Sequence, residues 1–532
     1  MDSINRFFDR LTTGRTISFL VLCAFLLSFY HLSGRWLYSG DEIRVAGIIR
    51  GMLLPGPVFL PQLNGIPFLE YPPLYYWGGA FFMSVFGVCD ASAKAMSATA
   101  LAGSILLTYA LARRLNQKNS IAFFAAIMLG FSISFFAAGR TCTVDILLGF
   151  FVLLAVFAFY SAMTAESFRS RLLYYLLYSA GSGCAIMTKG LLGLALPGII
   201  LFFLLLIRDI SERKIHWREW LALGLGSLAA LVPVVLWAVK LYNWLGFHDF
   251  YEVMYSNNIG RFTGSQTDHA APFYYYLERL PQLFQPWLIF LPFGLWHAWR
   301  KFRRLHDPAG LFLLCAFLAP MLLFTLASGK RQLYLIPVYP AATLLETLGL
   351  FEVLELLRKW VSEEKLTAFF RATAGILLAV TAVGCLVLCF MDVQIWSWAV
   401  PPFLAGSCAF LLFLFRKYTA GWTAFILAFC LFVPFVEGVL PNRFNRDETL
   451  EPLFRKVSEL EKEGRTVYLA DPMERTRGAA VYYLGKCLPV RRRDSYDGKS
   501  PEIWIFRKRD KKIRSRYGDH HHLVQMPEGT EL

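Results

Sequence analysis

The chain has 532 residues, 56% of them hydrophobic, a mean hydropathy of +0.47 and many apolar runs of about 20 residues, which excludes a soluble domain and marks a polytopic membrane protein. Its formal charge of +15 matches the basic residues a membrane protein gathers in its cytoplasmic loops, so it carries no argument for nucleic acid as a partner. Ten cysteines lie mostly inside apolar runs without metal-ligand spacing, which predicts neither a disulfide framework nor a metal site.

The first apolar run, "TISFLVLCAFLLSFYHL" at 16–32, follows Arg6, Arg10 and Arg15 as a signal peptide would, but no small-residue cleavage site comes after it. It is expected to stay as a membrane helix. Further spans are expected at 92–113, 120–138, 142–161, 172–188, 190–207, 219–241, 283–299, 310–328, 332–352, 370–391, 396–415 and 420–440, thirteen in all. The stretch "YYWGGAFFMSVFGV" at 75–88 is too short to cross and follows Pro72 and Pro73, which set the start of the helix. Charge supports leaving it out. With 75–88 lying in the interface and the N-terminus inside, "RRLNQK", "RSR", "RDISERK", "RKFRR" and "RKWVSEEK" all fall on the cytoplasmic side. The segments 34–91 and 242–282, with short turns at 139–141, 188–190 and 329–331, then lie outside.

The chain changes character after Pro441. Residues 441–532 are charged, with a helix-like "EPLFRKVSELEKEG" and the strand-like "TVYLA", "VYYLG" and "EIWIF", and are expected to form a small external α/β domain beside the transmembrane part, 1–440. The run "RKRDKKIRSR" and the "DHHH" at 519–522 read as a solvated charged face rather than an anion or metal site.

Asp41 and Glu42, in "LYSGDEIRVAG", stand where the first span ends and the long external segment begins. A carboxylate is cheap at headgroup depth, where near the bilayer centre it would cost several kcal/mol, so a plain interfacial anchor is one reading. The external side nevertheless carries Arg44, Arg140, Lys189, Arg261, Lys330 and Arg331, most of them in turns flush with the membrane. Cations around a carboxylate at that depth can hold a phosphate and stabilise charge developing on it.

The blocks "DEIRVAGIIRGMLLPGPVFLPQLNGIPFLEYPPLYYW" at 41–77, "MTKGLLGLALP" at 187–197, "NNIGRFTGSQTDHAAPFYYYLERLPQLFQPW" at 257–287 and "LASGKRQLYLIPVYP" at 326–340 resemble, in order, those of the bacterial lipid A aminoarabinose transferases and the wider dolichyl-phosphate-mannose protein mannosyltransferase-like family. The resemblance covers most of 10–440. It implies an all-α polytopic membrane protein of the GT-C type, with about thirteen transmembrane helices and a small external α/β C-terminal domain. The implied enzyme is a glycosyltransferase of the bacterial inner membrane, drawing sugar from a polyprenyl phosphate without a cofactor and passing it to lipid A, another glycan or a protein on the periplasmic side.

The resemblance also suggests roles for single residues. Asp41 falls on the family's catalytic aspartate and Asp145 on a second acidic position of the same cavity; Arg44, Lys330 and Tyr334 fall near the donor phosphate, and Arg331 adds a cation beside Lys330. Two positions depart from the pattern. Tyr71, in "EYPP", replaces a lysine that would contact the phosphate, and Asn258 replaces a histidine that, with the residue matching Glu70, forms a possible metal site, so no bound metal is expected. Arg261 and His269 either serve the donor pocket or order the long loop, and Lys189 either lines the site or caps a helix C-terminus. Glu42 is expected to favour the helix start through its charge. A flippase for polyprenyl-linked sugars would need ionisable groups near the midplane, whereas these candidates gather on one side. A non-catalytic scaffold would not need a carboxylate facing the cations.

Overall fold

The computed structural model describes residues 13–254, 271–362, 396–414, 418–444, 449–492, 503–506 and 524–525, with scattered positions between 363 and 395. Contacts divide the chain into two units. The first comprises residues 1–32, 97–140 and 144–437; the second comprises 33–96, 141–143 and 438–532. The segment after Pro441 therefore shares its compact unit with the long segment that follows the first helix.

The first unit is helical because its sequence is a succession of apolar runs with no water to satisfy their backbone, and only a helix satisfies every peptide group internally. Across the described residues of the whole chain, seven helices are long and apolar enough to cross a membrane, or up to eight if a bent pair counts as one span. The helices Val144–Met163, Leu192–Glu212 and Pro308–Leu326 match expected spans closely. The run expected at 120–138 is two helices, Asn119–Gly130 and Ile133–Gly139, bent by 67° at the break. The run expected at 283–299 is also interrupted: a helix ends at Leu283, a 3₁₀ turn covers Leu288–Phe290, and the helix proper is Leu291–Leu305, with a proline in its first turn. Most of 370–391 lies outside the described residues.

The second unit begins with the helix Gly40–Gly51, continues through a two-stranded antiparallel pair, Gln62–Leu63 with Ile66–Pro67, and reaches the helix Leu74–Phe86, whose N-cap is Pro73. Its C-terminal part contains a four-stranded parallel sheet. Val467–Ala470 pairs with Val490–Arg491 on one side and Ile503–Phe506 on the other, and Ile503–Phe506 pairs with Val524–Gln525. The helix Glu451–Lys462 buries Leu453, Phe454, Val457 and Leu460 along one stripe. "VYYLG", expected as a strand, is instead the end of the helix Glu474–Leu484. The parallel pairing explains this, since Val467–Ala470 and Val490–Arg491 can lie side by side in one direction only if a crossover joins them, and a helix is the usual one.

The helix Glu474–Leu484 packs directly on Gly40–Gly51, both within this unit. They meet at two glycines: a Cβ placed on Gly47 would lie 2.4 Å from the Gly478 carbonyl oxygen, and one on Gly478 would lie 2.6 Å from Arg44 Cα. The backbones can approach this far only because neither residue has a side chain.

Candidate active site

Most of the residues named from sequence fall into two side-chain clusters, one in each unit. In the second unit the cluster starts at the helix Gly40–Gly51. Ser39 is its N-cap, accepting a 3.4 Å hydrogen bond from the Glu42 amide, and this places Asp41 in the first turn with Arg44 one turn later. Arg44 Nη2 lies 3.1 Å from Asp41 Oδ1 and 3.6 Å from Glu70 Oε2, while Nη1 donates to Glu474 Oε2 at 2.6 Å. Burial works against the guanidinium's charge, but Glu70, Asp41 and Glu474 together outweigh it and hold its pKa above the ordinary value. Arg44 is thus a permanent cation set among three carboxylates.

In the same unit, Tyr71 is buried and Tyr76 fully so. The Tyr76 hydroxyl and Arg44 Nε have no hydrogen-bond partner among the described residues. Burial, with the Glu70 charge adding to it, raises the Tyr76 pKa, so the phenol stays neutral and available as a donor.

Glu42 does more than the sequence expects of it. It stands in the first turn of the helix and in addition forms a bidentate pair with Arg35, at 2.7 and 2.6 Å, with side-chain exposures of 6% for Arg35 and 4% for Glu42. Its Oε1 also accepts from the Cys142 amide at 3.3 Å. The pairing follows from spacing: Arg35 precedes the N-cap by one short loop, and a charge buried this deeply must find its opposite.

In the first unit, Asp145 opens the helix Val144–Met163 and pairs with Lys189 Nζ, which lies in the last turn of Phe168–Lys189. Lys189 also sits 4.8 Å from the centre of the Tyr334 ring. The two expectations for Lys189 are therefore compatible, since it stands at a helix C-terminus and reaches an acidic group as well. Lys330 is 5% exposed and donates to the Thr325 and Ala327 carbonyls, the unpaired carbonyls at the end of Pro308–Leu326; burial lowers its pKa from the ordinary value. The Arg331 carbonyl accepts from the Tyr276 hydroxyl at 3.1 Å.

Arg140 corrects the sequence reading. The sequence places it among the external cations able to meet a phosphate, yet its side chain is 0% exposed and its guanidinium is spent on Glu437 at 2.8 Å and on the Leu27, Ser28 and His31 carbonyls at 3.1 Å. It ties helix ends together. Asn258, Arg261 and His269 lie outside the described residues, as do "RKRDKKIRSR" and "DHHH". Sequence reasoning missed Glu474 and Arg35 as parts of the Asp41 neighbourhood. Glu474 stands 430 positions from Arg44 and carried no local signal, whereas Arg35 could have been found by asking which cation neutralises a buried Glu42.

The chemistry of the second-unit cluster is that of a carboxylate near water, held by a cation and accompanied by a neutral phenol. Asp41 is about half exposed at its side chain, so it can accept a proton or orient a hydroxyl, and Arg44 fixes its direction.

Comparison with known proteins agrees with this arrangement of helices. Residues 70–237 match the family described as dolichyl-phosphate-mannose-protein mannosyltransferase. An undecaprenyl phosphate-alpha-4-amino-4-deoxy-L-arabinose arabinosyl transferase of Proteus mirabilis is 30% identical over 332 residues, 62% of this chain and 59% of that protein. The corresponding enzyme of Pectobacterium atrosepticum is 33% identical over 61% of this chain and 57% of its own length. The chain thus spans less than two thirds of the length of these curated relatives. The crystal structure of ArnT from Cupriavidus metallidurans bound to undecaprenyl phosphate superposes with a TM-score of 0.67 at 21% identity, covering 90% of this chain and 86% of that one, and its apo form with 0.66. At that identity the likeness establishes the fold.

Proposed function

We propose that the chain is an ArnT-like membrane glycosyltransferase of the GT-C type that transfers a sugar from undecaprenyl phosphate to an envelope acceptor such as lipid A, a reading supported by its family match, its curated relatives and its fold. The observation that carries the reading is the Asp41–Arg44 pair, 3.1 Å apart in the first turns of one helix, with Glu70 beside it. In this reading the acceptor oxygen attacks the anomeric carbon, the bond from that carbon to the phosphate oxygen breaks, and undecaprenyl phosphate leaves with the electron pair. Asp41 orients the acceptor and takes its proton where the acceptor has one to lose. Arg44 fixes Asp41. The sequence assigns Lys189, Lys330 and Arg331 to the donor phosphate, and cations of this kind would compensate its charge as it leaves. No nucleotide or metal enters this scheme. The reaction is assigned to the periplasmic side of the inner membrane, with the second unit on that side.

Transfer of sugar from a synthetic undecaprenyl-phosphate-linked donor by the purified protein is the direct test, paired with mass spectrometry of envelope glycolipids and glycoproteins from cells with and without the gene. A sugar mass lost with the gene identifies donor and acceptor together. Absence of transfer with unchanged envelope masses would overturn the assignment. A reporter active only outside the cytoplasm, fused after Leu532, should work; activity there of a cytoplasm-only reporter would reverse the orientation.

A further inference from the structure

We propose that Glu474, in the C-terminal segment, is a positioning residue for the Asp41–Arg44 pair, a role that rests on the glycosyltransferase reading above. A guanidinium is a planar fork, so fixing one terminal nitrogen decides where the other points. In Arg44 the Nε is buried and makes no hydrogen bond among the described residues, which leaves the orientation of the plane to the two terminal nitrogens. Nη1 makes the shortest contact of the group, 2.6 Å to Glu474 Oε2, and Nη2 then faces Asp41 at 3.1 Å and Glu70 at 3.6 Å.

Glu474 can perform this role because its own backbone is held. It occupies the first turn of Glu474–Leu484, where a carboxylate is favoured by the helix dipole. Directly after it, Arg475 Nη2 donates to the Tyr38 carbonyl at 2.9 Å, on the chain just before Asp41. One turn on, Gly478 sits against Gly47 and Arg44 with no room for a Cβ. Farther along, the Tyr482 hydroxyl donates to Asp90 Oδ1 at 2.7 Å, and Arg50 of the Asp41 helix donates to the Tyr482 carbonyl. The tail helix is therefore fastened along its length to the helix that carries Asp41. The Glu474 side chain is 55% exposed, so solvent screens its attraction for Arg44 and its value lies in direction more than in binding energy. The C-terminal segment in this way supplies a part of the active site instead of standing apart from it.

The test uses the full-length protein with Glu474→Gln, which keeps an acceptor oxygen, and Glu474→Ala, which keeps none. As a control, Glu459→Gln changes an exposed residue of the helix Glu451–Lys462. Misdirecting a group by less than an ångström is felt in the catalytic step, so Glu474→Ala should lower kcat about tenfold with the donor KM within about twofold of wild type, and Glu474→Gln should fall between. The rate at which a dicarbonyl reagent modifies Arg44, read by mass spectrometry without reference to activity, should rise several-fold in Glu474→Ala and stay unchanged in the control. A wild-type kcat in Glu474→Ala, a change confined to KM, or an unchanged Arg44 modification rate would each overturn the proposal. Should the wild-type protein transfer no sugar at all, the functional reading falls, and the Arg44 modification rates alone decide whether Glu474 holds the guanidinium.

Discussion

Glu42→Gln should destabilise the protein substantially, although the substitution is nearly isosteric. The carboxylate makes two charge-assisted hydrogen bonds to Arg35, at 2.7 and 2.6 Å, each worth about 1.5–3 kcal/mol. The amide can keep one of them in neutral form, but the buried Arg35 guanidinium then loses the carboxylate charge it faces at 2.6 Å, and Lys94, which donates to the Arg35 carbonyl, brings a second cation close. Breaking one side of a buried pair costs about 3–5 kcal/mol, and the retained bond places Glu42→Gln near the lower figure. At about 2–4 °C per kcal/mol for a unit of this size, the unfolding midpoint should fall by about 10 °C. The assay is thermal unfolding of the detergent-solubilised protein followed by tryptophan fluorescence. A second variant separates the pair from its surroundings: Arg35→Met with Glu42→Leu removes both charges, fills the space with carbon and should recover most of the loss. A midpoint for Glu42→Gln within about 1 °C of wild type, or a double variant no better than the single, would refute the reasoning.

Asp41→Asn keeps shape and hydrogen bonding while removing charge and basicity, so transfer should fall about 10²- to 10⁴-fold with donor binding retained, as transfer and binding assays on the purified variant would read. Gly478→Val puts a branched side chain against the Arg44 backbone where even a Cβ comes to 2.6 Å; it should cost about 1–3 kcal/mol or more and release the tail helix to limited proteolysis before the rest of the chain unfolds. Lys189→Met leaves Asp145, 9% exposed at its side chain, without the cation it pairs with, and should lower the unfolding midpoint together with transfer, whereas Lys189→Met with Asp145→Leu should restore the midpoint and not the transfer. Glu346 is buried with both carboxylate oxygens lacking a hydrogen-bond partner among the described residues, so Glu346→Leu should raise the midpoint, by an amount reflecting about 1–3 kcal/mol.

The sequence by itself determined the membrane class, most of the helices and the first turn of the Asp41 helix, because these depend on short-range properties. Runs of apolar residues impose helices wherever water is absent, and an acidic residue followed three positions later by an arginine is a local pairing that any helix will make. Sequence also ordered the four blocks that resemble the glycosyltransferase family. It could not show that 120–138 bends by 67°, that "VYYLG" is helical, or that Arg140 is consumed by Glu437 and three carbonyls. Each of those depends on a partner far along the chain. The tertiary structure decided which of two adjacent carboxylates is locked away: Glu42 by burial with Arg35, leaving Asp41 half exposed beside Arg44. It also brought Glu474 to Arg44 across 430 positions, by a helix contact that exists only because Gly47 and Gly478 have no side chains to keep two backbones apart.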